Sequence, residues 1–295
     1  MLPQNAVLDA IAAAITVATG SSYVISRLQA IAGGCINQCF CLHGTDGRQF
    51  FLKLNALDQA ESFLQEAAGL AELARADAIR VPVAVTVGSA ADTAYLVLEY
   101  LQLCGQPDPQ RFGTQLATLH RCSAPQFGFA QTTSLGGTPQ PNAWQDDWCS
   151  FWSEQRLGYQ LRRAREHGLP DRLASASEYV IAALPRLLRD HRPAPSLLHG
   201  DLWAGNWSSD TDGNPVLFDP AVYYGDRETD LAMMELFGAP DPAFFAAYDA
   251  AWPREPGHAR RRDLYQLYHV LNHWNLFGGG YAQQAEQLAY RLLDQ

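Results

Sequence analysis

Paired cysteine motifs are missing from this chain. None of the six cysteines (Cys35, Cys39, Cys41, Cys104, Cys122, Cys149) stands in a Cys-x-x-Cys spacing, which argues against the usual structural zinc sites. The chain is also far longer than the small disulfide scaffolds, so reduced, buried thiols are the expectation. Positive charge is in short supply: 21 Lys and Arg face 31 Asp and Glu, a formal net charge of −10. That balance argues against broad binding to nucleic acid or to an anionic membrane, since both want a basic surface. Long apolar runs are lacking too. The run at 10–18 is too short to span a bilayer, and the opening Met1-Leu2-Pro3-Gln4-Asn5 lacks the basic n-region of a signal peptide. A cytoplasmic location is the resulting expectation. No low-complexity tract points to disorder, and 47% hydrophobic residues supply ample material for a core. At 295 residues the chain has room for one large domain or two.

What the chain does contain is one dense stretch. Leu197-Leu198-His199-Gly200-Asp201-Leu202-Trp203-Ala204-Gly205-Asn206-Trp207 puts an Asp on a short loop with an Asn soon after it. Val216-Leu217-Phe218-Asp219-Pro220 then ends an apolar run in a second Asp. These three side chains suit phosphoryl transfer, in which a protein orients a hydroxyl and holds Mg²⁺ against a nucleotide's phosphates. Asp201 is the expected base for the substrate hydroxyl. Asn206 and Asp219 are the expected Mg²⁺ ligands, because hard cations that keep several waters take one or two oxygen side chains plus phosphate oxygens. A lone Asp would more often be a turn or cap residue, but here loop, spacing and apolar strand agree.

This order of residues resembles the catalytic loop and metal-binding Asp of the protein-kinase-like fold. The Gly after His199 and the later Asp230-Leu231-Ala232 point to its small-molecule branch, which includes aminoglycoside and choline kinases. The catalytic stretch followed by Asp219-Pro220-Ala221-Val222-Tyr223-Tyr224-Gly225-Asp226-Arg227-Glu228-Thr229-Asp230-Leu231-Ala232-Met233 is similar to the fructosamine kinase (ketosamine 3-kinase) family. The likeness runs from Gly33 through Thr138-Pro139-Gln140-Pro141-Asn142-Ala143-Trp144 to Leu271-Asn272-His273-Trp274-Asn275-Leu276-Phe277-Gly278 and Tyr281. Departures are mild: Asp226 stands where a His is common, and Gly238-Ala239-Pro240 replaces a Gly-Gly-aromatic run, which bears on acceptor preference. The resemblance implies an α+β, protein-kinase-like bilobal fold. Residues 1–101 would form a small lobe with a five-stranded antiparallel sheet, and 102–295 a mainly helical lobe. It also implies ATP-dependent phosphorylation of the 3-hydroxyl of a ketosamine, an early sugar adduct on an amine or a protein lysine. The product would fall apart and free the amine, a deglycation.

Before the hinge, Val7, Leu8, Ile11, Ile15 and Ala18 predict an amphipathic helix that ends at Gly20 and caps the sheet. A strand over 23–31 leads through Gly33-Gly34-Cys35-Ile36-Asn37 into a second strand. Alone, Gly33-Gly34 reads as a hairpin turn, but its place ahead of a strand Lys, and the resemblance, make the main chain of 33–37 the candidate phosphate cover. Oxidation of Cys35 on that turn is expected to slow ATP binding. Phe50-Phe51-Leu52-Lys53-Leu54 is an apolar strand whose Lys needs a partner unless it snorkels from an edge. Glu66 on the helix after it is the candidate, with Glu61 and Glu72 as competitors; together Lys53 and Glu66 would steady the ATP phosphates. Runs at 83–87 and 94–98, parted by Gly88-Ser89-Ala90, complete the sheet. By resemblance, backbone groups of Glu99 and Leu101 would meet the adenine edge.

Beyond the hinge, residues 125–142 read as a long ordered loop that walls the acceptor site. Trp144, Trp148, Phe151 and Trp152 lie near helical spacing and read as core. Arg156, Arg162, Arg163 and Arg165, and separately Arg260-Arg261-Arg262, read as solvated faces. His199 reads as a scaffold for the catalytic loop. Trp203 offers a flat platform for a sugar, unless it is buried between lobes. Asp226 is a helix N-cap candidate. Asp230, bland as a surface charge, would by resemblance hydrogen-bond back to the catalytic loop. Rival readings are a kinase for another small alcohol and a non-catalytic nucleotide-binding pseudokinase, and the joint presence of Lys53, Glu66, Asp201, Asn206 and Asp219 argues against the latter.

Overall fold

The computed structural model describes residues 4–31 and 36–294. Val7, Ile11 and Ile15 recur on one side of α1 (Asn5–Thr19), and Gly20 ends the helix at φ 68°, a conformation a Cβ disfavours. Next come β1 (Ile25–Ile31), β2 (Gln38–Gly44), β3 (Gln49–Ala56), α2 (Ala60–Arg75), β4 (Ala84–Ala90) and β5 (Thr93–Glu99). The strands form a five-stranded antiparallel sheet in the order β1-β2-β3-β5-β4. Strand alternation then sorts the side chains. Phe50, Leu52, Leu54, Tyr95 and Val97 pack with α1, whereas Leu96 and Leu98 face Phe63, Leu70 and Leu73 of α2.

The rest of the chain is mainly helical: α3 (Pro109–His120), α4 (Trp148–Phe151), α5 (Gly158–Glu166), α6 (Asp171–Leu187), α7 (Glu228–Leu236), α8 (Pro242–Ala251), α9 (His258–Phe277) and α10 (Tyr281–Leu293). Short antiparallel ladders interrupt it. β6 (Thr133–Leu135) pairs β7 (Thr138–Gln140), β8 (Ser196–Leu198) pairs β11 (Tyr223–Gly225), and β9 (Trp207–Ser209) pairs β10 (Pro215–Leu217). The last two ladders flank the loops that carry Asp201 and Asp219. The core beneath α2 does not stop at the sheet; it continues through Phe112 and Leu116 of α3 to Phe244 and Tyr248 of α8.

Several local expectations change on folding. Gly88-Ser89-Ala90 lies inside β4, and the chain turns instead at Ala91, φ 49°, and Asp92. Gly88 is bare because a Cβ there would come 2.5 Å from the Tyr95 hydroxyl. Residues 125–142 are not all loop, since they contain the β6–β7 hairpin. Trp148, Phe151 and Trp152 are buried as expected, but Trp144 is 42% exposed. Arg156 leaves the solvated face altogether. A π turn over Trp152–Leu157 re-phases the helix and points Arg156 inward, its guanidinium 3.9 Å from the Tyr223 ring centre. Arg261 is likewise buried, in a two-pronged pair with Glu228.

Candidate active site

β8 delivers the chain into the loop that carries Asp201, where Gly200 takes φ 84°. A Cβ at that position would meet the Ala221 carbonyl oxygen at 2.0 Å, so only glycine lets the two loops pass. His199 Nε2 donates to the Phe218 carbonyl at 2.9 Å, and its Nδ1 accepts the Asp201 N–H at 3.3 Å. One ring nitrogen must therefore carry a proton and the other must not. Burial pushes the imidazole pKa below its ordinary value and keeps it in that neutral form. Asp230, from α7, accepts the N–H groups of His199 (2.7 Å) and Gly200 (2.9 Å). Burial alone would raise the Asp230 carboxyl, but His120 beside it, along with His199 and the Gly200 N–H, holds it below its ordinary value. It is a buried brace for the loop.

Asn206 donates through Nδ2 to the Asp201 backbone carbonyl (2.8 Å) and to its Oδ2 (3.2 Å). Phe218 N–H donates to the Asn206 carbonyl at 3.1 Å, tying this loop to the one that ends in Asp219. Asp219 sits at φ 57°, unusual for a residue with a Cβ, and its Oδ1 accepts from Lys53 Nζ at 2.5 Å. Lys53 also donates to Glu66 Oε1 at 2.7 Å. Of the three helix acids weighed from sequence, Glu66 is the one beside Lys53; Glu72 instead accepts from Tyr224 and Arg75. Burial would lower the Lys53 pKa, but Asp219 and then Glu66 more than offset it, so the ammonium stays charged. The Asp201 carboxyl is pushed up to about 7, first by desolvation and then by the charge of Asp219.

The cleft has two compartments that meet at Cys39, Lys53, Gly205 and Asp219. One, about 300 Å³, has apolar walls of Leu98, Leu101, Leu103, Val216 and Phe218, with Glu99 at its edge. The Glu99 N–H is engaged by the Val83 carbonyl at 2.8 Å, which leaves its carbonyl as the group to offer a ligand. The other compartment, about 260 Å³, is walled by Lys53, Glu66, Asp201, Trp203, Asn206 and Asp219. Trp203, 37% exposed, lies on this wall and not sealed between elements. Its indole covers Gly205, where a Cβ would come within 2.4 Å of the ring. Ile36 and Asn37 also reach the polar compartment, and Asn55 Nδ2 anchors Asn37 Oδ1 at 2.7 Å. Gly33, Gly34 and Cys35, expected to cover phosphates, lie outside the described residues. Asn55 and Cys39 escaped sequence reasoning; Cys39 is the cross-strand partner of Lys53, a relation that needs the strand register to be known.

The amino-acid pattern of the fructosamine kinase family matches residues 7–295. The chain belongs to the fructosamine kinase family. Among relatives, a probable ketoamine kinase of Synechocystis is 47% identical over 96% of this chain and 96% of its own length. A chloroplastic protein-ribulosamine 3-kinase of Oryza sativa subsp. indica is 38% identical over 90% of this chain and 78% of its own. A crystal structure provisionally identified as a fructosamine-3-kinase from Haemophilus somnus superposes with a TM-score of 0.90 at 30% identity, covering 98% of both chains. A macrolide 2'-phosphotransferase shares the fold alone, at a TM-score of 0.61 and 16% identity over 97% of this chain and 98% of its own. This fructosamine kinase family member is thus a phosphotransferase of the kinase-like fold, a class that uses ATP with a divalent metal. The polar compartment fits such a cation: Asn206 Oδ1 and Asp219 Oδ2 accept no protein hydrogen bond among the described residues, and both are hard oxygen donors. No helix among the described residues is long and apolar enough to cross a membrane.

Proposed function

We propose that this fructosamine kinase family member transfers the γ-phosphoryl group of ATP to the 3-hydroxyl of ketosamines, free or on protein lysines. The placement of Asp201 carries the reading: a carboxyl pushed up to about 7, held toward the cleft by Asn206 and next to an exposed indole. Residues up to 101 cover the nucleotide, and those from 102 onward carry the Asp201 loop, the metal ligands and the acceptor site. The adenine lies in the apolar compartment, against the Glu99 carbonyl and the Leu101 N–H, and Lys53, steadied by Glu66, meets the phosphates. Asn206 and Asp219 would hold Mg²⁺, which supplies neutralisation of phosphate charge. Trp203 offers its face to the sugar, and Asp201 accepts the proton of the hydroxyl that attacks. His199 and Asp230 touch no substrate; they keep the Asp201 loop in shape. With phosphate on C3, enolisation towards C1 lets phosphate leave and turns the C1–N bond into an imine, which water hydrolyses to free the amine, and this makes the role repair.

A coupled ATP-consumption assay over ribulose-, erythrulose- and fructose-derived ketosamines tests this, with an aminoglycoside and choline as controls. Turnover is expected with one or more ketosamines and with neither control. Asp201→Ala should lose on the order of 10³-fold in kcat while ATP affinity changes little, the scale of a lost general base. Phosphorylation of a control alone, or near-normal turnover by that variant, would overturn the proposal.

A further inference from the structure

The ion pair that orients phosphate, Lys53 with Glu66, is only as well placed as the helix bearing Glu66. One stripe of α2 explains how that helix is held. Gln65, Gly69 and Glu72 recur at the spacing that puts residues on a single helix face, and each meets a segment outside the sheet. Ser134 Oγ, on β6, donates to Gln65 Oε1 at 2.7 Å. Tyr224 Oη, on β11, donates to Glu72 Oε1 at 2.6 Å. Between them Gly69 lets Val222 and Pro220 approach so closely that a Cβ would lie 3.2 Å from Val222 Cγ2 and 3.4 Å from Pro220 Cγ. Pro220 follows Asp219 directly, and β11 pairs with the β8 strand that leads into the Asp201 loop.

Relying on the phosphotransfer reading above, we propose that Ser134 and Tyr224 are positioning residues for nucleotide. They bolt α2 to the frame that carries Asp201 and Asp219, and so hold Glu66 where it can steady Lys53. The acceptor wall takes part in this, because Ser134 lines the same compartment as Asp201 and Trp203. Neither hydroxyl touches the reacting atoms. Their hydrogen bonds act through Glu66, which sits beside Gln65 on the helix. Burial, followed by the bond to Glu72, pushes the Tyr224 phenol above its usual pKa, so it remains a donor throughout the working pH range.

The test is a cycle of full-length variants: Ser134→Ala with Tyr224→Phe, made in the wild type and again in Glu66→Ala. Affinity for Mg²⁺ and a non-hydrolysable ATP analogue is measured by calorimetry, so the readout survives even if no ketosamine proves to be a substrate. Two lost hydrogen bonds predict a fall of about 5- to 20-fold in nucleotide affinity in the wild type, and less than about 2-fold in Glu66→Ala, where the route is already cut. Ser134→Thr, which keeps the hydroxyl, should restore its share. Equal losses in both backgrounds, or a lower melting temperature with unchanged nucleotide affinity, would overturn the proposal.

Discussion

In its proposed role Asp201 serves two opposed demands, because a base must be ready to ionise in a place where ionisation is costly. Its carboxyl pKa in the folded protein, about 7, lies above that of an unfolded Asp, roughly 3.9. A group shifted this way favours the folded state while protonated, and that contribution is lost as pH rises through 7. Asp201→Asn is therefore expected to abolish turnover and yet stabilise the metal-free protein at pH 8. Water in the cleft screens part of the effect, so a rise of roughly 3–6 °C in melting temperature is the scale to expect. The gain should vanish below about pH 4, where both forms are neutral. Thermal melts of the two proteins across pH in the presence of a chelator check the sign. A variant that melts lower at pH 8 would mean that desolvation does not set the Asp201 pKa.

At the scale of elements, the π turn over Trp152–Leu157 has consequences well beyond its own length. It turns Arg156 inward, where the side chain donates to the Pro141 carbonyl at 2.6 Å and to Asn142 Oδ1 at 2.7 Å while its guanidinium stacks on Tyr223. Asn142 in turn donates to Thr133 Oγ1, and Gln140 donates both to Thr133 Oγ1 and to the Ala221 carbonyl. One buried cation thus organises the two ends of the β6–β7 hairpin and joins them to the segment after Asp219. Arg156→Met keeps much of the stacking volume but strands these acceptors. It should cost about 2–4 kcal/mol of stability and raise KM for the acceptor more than KM for ATP. Denaturant titration and steady-state kinetics read the two effects separately; equal shifts in both KM values would show that the hairpin does not shape the acceptor site. Nothing in the spacing of the arginines marks Arg156 out, because a regular helix leaves it among the solvated ones.

For the whole molecule, the decisive fact is that the core under α2 is shared. Phe63, Leu70 and Leu73 are buried in one cluster with Phe112, Leu116, Phe244 and Tyr248, which come from helices far along the chain. Removal of residues 102–295 would leave that face of the sheet and of α2 in water. Thermal unfolding is accordingly expected as a single transition, and residues 1–101 alone should lack the cooperative melt of a folded domain. Calorimetry of the full chain and circular dichroism of the fragment test this; two resolved transitions would refute it.

Much of this protein is written in short-range chemistry. Helical and alternating apolar patterns marked out most strands and their flanking helices, the family resemblance supplied the five-stranded lobe they form, and the residues around His199, Asp201, Asn206 and Asp219 pointed to a phosphotransferase, because a loop that orients a hydroxyl and a cation needs those groups close along the chain. Tertiary structure alone decided that Glu66 and not Glu61 or Glu72 meets Lys53, that Arg156 and Arg261 turn inward, that Trp203 is exposed, and that Ser134 and Tyr224 hold α2. Those outcomes depend on the rotation and separation of elements distant in sequence. Periodicity gives the face of a helix, but which neighbour that face meets is set only when the whole core packs.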